Sequence, residues 1–228
     1  MMAMDTDRLI ASLTEHADPV QRLPSPWLRT ASWFAMAVPY VAVIVMMMAP
    51  RDDLAVKFTD FRYLVEQIAA LCTAIGAAVA AFQSIVPGYD RRFLLLPLVP
   101  LSVWLASVGE GCVEAWLRGG AFQDFTSDFL CIPAIALVGT LPAVAMVLML
   151  RKGAPLWPHA SAALGGLAAA GLGNFGLRLF HGQDASLMVL VWQVGTVLML
   201  TILCGWAGRL FLDWRLVVAR VRRNLATR

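Results

Sequence analysis

The stretch "LVEQIAALCTAIGAAVAAFQSIV", residues 64–86, contains one charged side chain, that of Glu66. The hydrocarbon core of a bilayer is about 30 Å thick, and a helix needs roughly 20 apolar residues to cross it. The stretch is therefore predicted to be a transmembrane helix. Five further apolar stretches of sufficient length lie near residues 31–49, 93–111, 129–150, 159–180 and 187–210. The sequence thus predicts an all-α polytopic membrane protein, a bundle of six transmembrane helices.

The composition of the whole chain supports this fold class. Of its 228 residues, 60% are hydrophobic and 14% are charged, whereas soluble domains are nearer half apolar and a quarter charged. A soluble fold of this length could not hide so much apolar surface. The first apolar stretch begins after a polar, proline-containing segment and five more follow it, so a cleaved signal peptide is not expected.

The distribution of basic residues predicts the orientation. With the N-terminus inside, the predicted outer segments hold five of the 18 Lys and Arg residues, namely Arg51, Lys57, Arg62, Arg118 and Arg178. The other 13 lie in the predicted inner segments. Basic residues accumulate on the cytoplasmic side, so we expect both termini in the cytoplasm and the chain in a bacterial inner membrane. The net charge of +3 reflects these segments, and no direct nucleic-acid binding is predicted.

Two cytoplasmic segments flank the predicted membrane domain of residues 30–211. Residues 1–29 form a predicted arm in which Thr6 caps a helix that carries Leu9, Ile10 and Leu13 on one face. This arm is either an exposed, frayed tail or a helix that docks on a partner. Residues 212–228 form a basic amphipathic tail, which is expected to rest on the anionic lipid surface or to bind a partner.

Polar residues are few inside the predicted spans. Glu66 lies near an outer end, where its side chain can snorkel. The neutral residues expected to hydrogen-bond between helices are Gln67, Gln83, Asn174 and Gln193. No acidic pair or row of arginines is evident, which argues against transport chemistry. The fifth span carries Gly165, Gly166, Gly171, Gly173 and Gly176, for which close helix packing is predicted.

Two of the four cysteines lie at the ends of one predicted outer loop. Cys112 and Cys131 belong to "GEGCVEAWLRGGAFQDFTSDFLC", residues 109–131, whereas Cys72 and Cys204 lie within spans and are expected to pack there. A disulfide would close a loop of about 20 residues and stabilise the chain by roughly 3 kcal/mol. Alternatively, the two thiolates bind a soft metal such as Cu(I), Zn or Cd, with His181 at the same predicted level. Both chemistries remain open at this point.

Four segments together resemble the NrsF family, six-span membrane anti-sigma factors that act as negative regulators of extracytoplasmic-function sigma factors. They are "TDRLIASLTEHADPVQRLPSPWLR" (6–29), "VPGYDRRFLLLPLVPLSVWLA" (86–106), "GEGCVEAWLRGG…DFLC" (109–131) and "RLFHGQDASLMVLVW" (178–192). The resemblance implies a regulator without enzymatic activity, whose cytoplasmic portion holds a sigma factor until metal or oxidative stress releases it. It also implies that Cys112 and Cys131 are the sensor. The H-x3-C-x2-C zinc module of many soluble anti-sigma factors is absent, so sigma binding would use the arm and the inner loops.

Two other functions are considered. A quinone-linked membrane thiol oxidoreductase typically has a close C-x-x-C pair, which the chain lacks. A metal or small-solute transporter is the other alternative, and flux into liposomes would distinguish it from a regulator that binds a sigma factor.

Overall fold

The computed structural model describes residues 6–15, 23–119, 131–153, 155, 157–181, 194–208 and 212. Within these ranges all regular elements are helical, as the sequence predicts. The α-helices are α1 (Thr6–Glu15), α2 (Pro26–Met47), α3 (Leu54–Lys57), α4 (Phe61–Ser84), α5 (Leu98–Gly119), α6 (Cys131–Leu150), α7 (Pro158–Phe180) and α8 (Gly195–Trp206). A 3₁₀ helix, Arg91–Leu95, precedes α5.

Four helical segments within the described residues are long and apolar enough to cross a membrane. They are Pro26–Met47, Phe61–Ser84, Arg91–Glu114 and Pro158–Phe180. They correspond to the first, second, third and fifth predicted spans. The fourth and sixth predicted spans correspond to shorter apolar helices, Ala136–Leu150 and Gly195–Trp206. Four of the six predicted spans are therefore found as helices long enough to cross a membrane, and the other two correspond to helices that are too short within the described residues.

The long helices run alternately up and down the bundle. Arg29, near the start of α2, contacts carbonyl oxygens near the ends of α4 and α6, and Tyr63, near the start of α4, contacts the end of α7. We call the end of the bundle that contains Arg29 the proximal end. The end that contains Tyr63 and the C-terminus of α7 is the distal end.

The helices α4 and α7 form the centre of the bundle. Helix α4 packs against α2, α5 and α7, and α7 packs against α2, α4, α6 and α8. Alanine dominates the buried part of α4 from Ala69 to Ala81, because a small side chain lets three neighbours approach one helix closely. The third span, α5, packs chiefly on α4 and lies at the periphery.

Glycines on α7 permit these close contacts, as the sequence predicts. A methyl group added at Gly176 would lie 2.6 Å from Val41 on α2, and one at Gly166 would lie 2.7 Å from Cys204 on α8. Real side-chain atoms do not approach so closely, so neither position accepts alanine without a shift of its neighbour. Cys204 therefore packs inside the bundle as predicted, whereas Cys72 is exposed on the surface of α4.

Local capping fixes the start of the first long helix. The Ser25 hydroxyl accepts a hydrogen bond from the Leu28 N–H at 3.3 Å, and Pro26 occupies the first turn, where its missing N–H is harmless. As a result α2 begins at Pro26 and includes residues 26–29, which the predicted arm contained. The arm also contains α1, a helix at the predicted position.

Candidate functional site

The distal end of the bundle contains a buried polar cluster between α4 and α7. We call it the distal cluster, and its members are Tyr63, Glu66, Gln67, Asn174 and Arg178. An Arg178 Nη1 atom lies 2.8 Å from Glu66 Oε2, and both side chains are only 8% exposed. The prediction that Glu66 snorkels to the surface is therefore wrong, because its carboxylate is paired with Arg178 inside the bundle.

Both charged partners are held by further contacts. The Tyr63 hydroxyl donates to the Arg178 carbonyl oxygen at 3.1 Å, and the Tyr63 ring lies 5.2 Å from the guanidinium carbon. Gln67 Nε2 donates to the Tyr63 hydroxyl at 3.3 Å and to the Phe175 carbonyl oxygen at 3.4 Å. Removing one partner of a buried ion pair typically costs 3–5 kcal/mol, because the other charge stays buried and uncompensated.

The prediction of interhelical hydrogen bonds is confirmed for Gln67 but not for Asn174. It stays a prediction for Gln83, and Gln193 lies outside the described residues. Gln67 bonds α4 to α7, whereas Asn174 Nδ2 and Oδ1 are buried and have no hydrogen-bond partner in the described part of the chain. The Gln67 Oε1 atom is unpartnered in the same sense. A buried polar atom without a partner costs about 1–3 kcal/mol. The described residues therefore leave part of the hydrogen-bonding capacity of the distal cluster unused.

Arg51 links the segment after α2 to the distal end of α7. Its side chain is buried and its Nη2 atom lies 2.7 Å from Asp53 Oδ2. The Arg51 N–H donates to the Leu179 carbonyl oxygen at 3.1 Å, and its Nη1 donates to that of His181 at 3.4 Å. The hydrogen bond from Arg51 holds the pKa of Asp53 below the ordinary value of an aspartate. Arg51 thus joins two helices that are distant in sequence.

A more exposed ion pair joins α4 to α5. Arg62 Nη1 lies 2.9 Å from Glu114 Oε2, and Arg62 Nη2 lies 3.8 Å from Glu110 Oε1. All three side chains are partly exposed, and such pairs contribute at most about 1 kcal/mol. They nevertheless connect the helix that carries Cys112 to the helix that carries Glu66.

The two predicted sensor cysteines lie on helices that pack on different neighbours. Cys112 lies on α5, half-buried and with a free thiol. Because residues two apart on a helix are about 200° apart, it lies on the far side of α5 from Glu110 and Glu114. Cys131 begins α6, which packs on α2 and α7, and its side chain lies outside the described part of the structure. A disulfide or a shared metal between Cys112 and Cys131 therefore stays a prediction.

The predicted metal ligand His181 has a structural position at the end of α7. Its backbone N–H donates to the Leu177 carbonyl oxygen at 2.8 Å, and its own carbonyl accepts from Arg51. Among the residues that the structure describes, no three His, Cys, Asp or Glu side chains come together as a ligand set. Asp184 and Met188, which follow His181 in the same predicted outer segment and could add further ligands, lie outside the described ranges.

At the predicted sigma-binding arm, the structure describes one of the three predicted side chains. Ile10 on α1 is 54% exposed, whereas the side chains of Leu9 and Leu13 lie outside the described set. Their backbone lies in α1, and the spacing of residues 9, 10 and 13 places the three positions on one helix face. The exposed Ile10 is compatible with a docking face.

The proximal end contains a buried arginine that sequence reasoning treated only as an inner basic residue. Arg29 Nη2 donates to the Met149 carbonyl oxygen at 2.8 Å and Nη1 donates to that of Phe82 at 3.5 Å. Its guanidinium carbon also lies 4.5 Å from the centre of the Phe82 ring. Arg29 thus connects the start of α2 to the C-terminal ends of α4 and α6. A charged residue three positions after Pro26, at the start of an apolar helix, is the feature of the sequence that could have indicated a buried arginine.

Comparison with known families gives one match. A model of the NrsF family, described as negative regulator of sigma F, matches residues 13–214. The match includes all of the long helices and both predicted sensor cysteines. Comparisons with curated proteins and with solved structures found no match. Because the matched region covers most of the chain, the protein belongs to the NrsF family, the negative regulators of sigma F.

Proposed function

We propose that this protein is an anti-sigma factor of the bacterial inner membrane, with six transmembrane helices and both termini in the cytoplasm. It holds an extracytoplasmic-function sigma factor inactive and releases it when its outer side meets metal or oxidative stress. The observation that carries this proposal is the family match over residues 13–214, which includes four helices long enough to span a bilayer. In this orientation the distal end faces the periplasm, and the proximal end faces the cytoplasm.

The arm is the proposed sigma-binding element. Helix α1 is amphipathic, and its Ile10 side chain is exposed. An amphipathic helix with an unburied apolar face commonly binds in a groove of a partner. We assign the contact to Leu9, Ile10 and Leu13. The end of the arm, Ser25 to Arg29, starts α2, so the arm is continuous with the first long helix.

Cys112 and Cys131 are the proposed sensor. Oxidation would join the two sulfurs with loss of two electrons to the oxidant and of two protons. A soft metal ion would instead be bound by the two thiolates, with His181 as the third donor. A complete two-state switch needs about 5.5 kcal/mol, more than the roughly 3 kcal/mol that closing this loop supplies. A disulfide would therefore shift the population in part, whereas zinc binding to protein thiolates reaches about 10 kcal/mol in favourable sites.

Three contacts support a route from the sensor to the arm. The Arg62–Glu114 pair joins α5 to α4, and the Glu66–Arg178 pair joins α4 to α7. Arg51 then joins the end of α7 to the segment that follows α2. Helix α2 leads back through the membrane to the arm. A displacement of α5 at Cys112 would therefore first disturb the Arg62–Glu114 ion pair, then the Glu66–Arg178 ion pair, and only then the arm.

The buried Glu66–Arg178 pair also favours a second candidate, a small-solute transporter, since ionisable residues inside spans often mark transport pathways. Purified protein in liposomes, assayed for uptake of radioactive metal ions, distinguishes the two functions. An anti-sigma factor shows no uptake above empty liposomes, whereas a transporter shows uptake that Glu66→Gln abolishes.

The direct test is capture of the sigma factor by the intact membrane protein. In detergent or nanodiscs the tagged chain is expected to retain a sigma factor from its own cells, and Ile10→Asp is expected to abolish the capture. The control Val56→Asp changes an exposed apolar residue at the distal end and should leave it unchanged. Equal capture by wild type and by Ile10→Asp would contradict the role of the arm.

The sensor is tested by release of the captured sigma factor after cadmium or diamide treatment. We expect release from the wild type and none from Cys112→Ser or Cys131→Ser, with Cys72→Ser as the control. Impermeant maleimide on intact spheroplasts should label the reduced pair. The route is tested by Arg62→Gln, which should preserve binding and stability but weaken release. Release that is unchanged in both cysteine variants would disprove the sensor.

A further inference from the structure

Three polar atoms in the distal cluster have no hydrogen-bond partner among the described residues. They are Gln67 Oε1, Asn174 Nδ2 and Asn174 Oδ1. Asn174 is completely buried and Gln67 is 4% exposed, so bulk water does not satisfy them at the surface. Buried side-chain polar atoms are nearly always hydrogen-bonded, and each exception requires an explanation.

The contacts of neighbouring groups place Gln67 and Asn174 at the same level of the α4–α7 interface. Gln67 Nε2 donates to the carbonyl oxygen of Phe175, the residue after Asn174. On α7, Asn174 is three residues from Gly171, which approaches Ala74 on α4, and four residues from Arg178, which pairs with Glu66. Residues three and four apart share a helix face, so Asn174 belongs to the face of α7 that packs on α4.

We infer that this layer contains an internal water site between Gln67 and Asn174. The amide NH₂ of Asn174 is a donor, and the two side-chain oxygens are acceptors. A water molecule accepts from the first and donates to the other two, and buried waters typically make about three such bonds. The two hydrogen bonds from Gln67 Nε2, at 3.3 and 3.4 Å, are longer than usual.

The site lies nearer to the distal end of the bundle than to the proximal end. Asn174 lies six residues before the end of α7 at Phe180, which corresponds to about 9 Å along the helix axis. It is one turn deeper than Arg178, so the water is adjacent to the layer of the buried ion pair. A hydrated interface separates more easily than a dry one, because its polar groups keep a partner when the helices part. This inference does not depend on the proposed function.

The experiment uses the fact that the chain has two asparagines, Asn174 and Asn224. The Asn224→Ser variant, labelled with ¹⁵N-asparagine and reconstituted in proteoliposomes, gives signals from Asn174 alone. In water-edited solid-state NMR, magnetisation is expected to reach the Asn174 side-chain NH₂ faster than the Asn174 backbone N–H, which lies inside the helix. Side-chain transfer as slow as backbone transfer would overturn the inference.

A variant pair tests whether Gln67 holds the water. Gln67→Leu removes one acceptor and is expected to abolish the fast transfer to the Asn174 side chain. Gln83→Leu changes a half-buried glutamine at the opposite end of α4 and should leave the transfer unchanged. Fast transfer that persists in Gln67→Leu would overturn the assignment of the water to Gln67. If that variant does not fold, the measurement on the Asn224→Ser protein still decides whether the water is present.

Discussion

The two ends of the bundle compensate a buried arginine in different ways. At the distal end, Arg178 on α7 faces the carboxylate of Glu66 on α4 at 2.8 Å. At the proximal end, Arg29 on α2 donates to the carbonyl oxygens of Phe82 and Met149 and lies against the Phe82 ring. The first arrangement joins two helices through a second charge, and the second joins three helices through backbone dipoles.

The two arrangements differ in what each arginine requires of its surroundings. The last carbonyl groups of a helix carry partial negative charge and have no partner within the helix. A cation placed there needs no ionised partner, so the contact of Arg29 persists as long as the three helices stay together. The pair of Glu66 with Arg178 requires two ionised groups that are removed from water. The contact of Arg29 therefore depends on helix packing alone, whereas the contact of Arg178 also depends on the charge of its partner.

The largest expected effect is loss of one member of the distal ion pair. Glu66→Leu and Arg178→Leu should each lower the free energy of unfolding by about 3–5 kcal/mol, because each leaves a buried charge without its partner. The double variant should recover most of this loss, since a hydrophobic pair needs no compensation. Unfolding titrations with SDS in mixed micelles measure all three. If the double variant is as unstable as the sum of the single ones, the two residues do not act as a pair.

A smaller loss is expected at the proximal end. Arg29→Met removes the charged hydrogen bonds to two carbonyl groups and should cost about 2–3 kcal/mol by the same titration. Arg29→Lys should restore little of it, because one ammonium group cannot replace the planar fork of the guanidinium. Arg92→Met, at an exposed position near the same end, is the matched control. If Arg29→Met unfolds like wild type, the contacts of Arg29 with α4 and α6 do not stabilise the bundle.

Close packing between α7 and α2 is tested in the distal half by Gly176→Ala. The added methyl group would lie 2.6 Å from Val41 Cγ1, so the helices must separate, and we expect a loss of about 1–3 kcal/mol. Gly109→Ala adds a methyl group with nothing within 4 Å and should be neutral or slightly stabilising. Thermal denaturation in detergent measures both. Equal midpoints for the two variants would contradict the close approach.

The smallest expected effect concerns the link between Arg51 and Asp53. The pKa of Asp53 is lowered in the folded state, so the link contributes stability at neutral pH and loses it as pH falls through that pKa. In Asp53→Asn this contribution is absent at all pH values. The difference in thermal midpoint between wild type and variant should therefore be present at pH 7 and vanish in acid. A difference that grows on acidification would show that the sign is wrong.

Hydropathy predicts four of the six expected spans as long helices, but it places Glu66 wrongly. Its position near the predicted end of a helix is compatible with a snorkelling side chain when only α4 is considered. Arg178 lies near the end of another helix, more than a hundred residues away in sequence. Their approach to 2.8 Å depends on how α7 packs on α4. The same reasoning missed Arg29, whose partners are backbone groups that no residue pattern can indicate.

The amino-acid sequence by itself determined the helical class, the position of the long helices and, through whole-chain similarity, the family of negative regulators. These properties follow from local composition, because an apolar run of sufficient length favours a helix whatever surrounds it. Only the tertiary structure decided which polar groups meet, namely Glu66 with Arg178 and Arg29 with the ends of two helices. It also left the Asn174 amide without a hydrogen-bond partner among the described residues. These contacts join distant segments, and their geometry is set by small residues such as Gly171 and Gly176, which bring the helices close enough to bury charge.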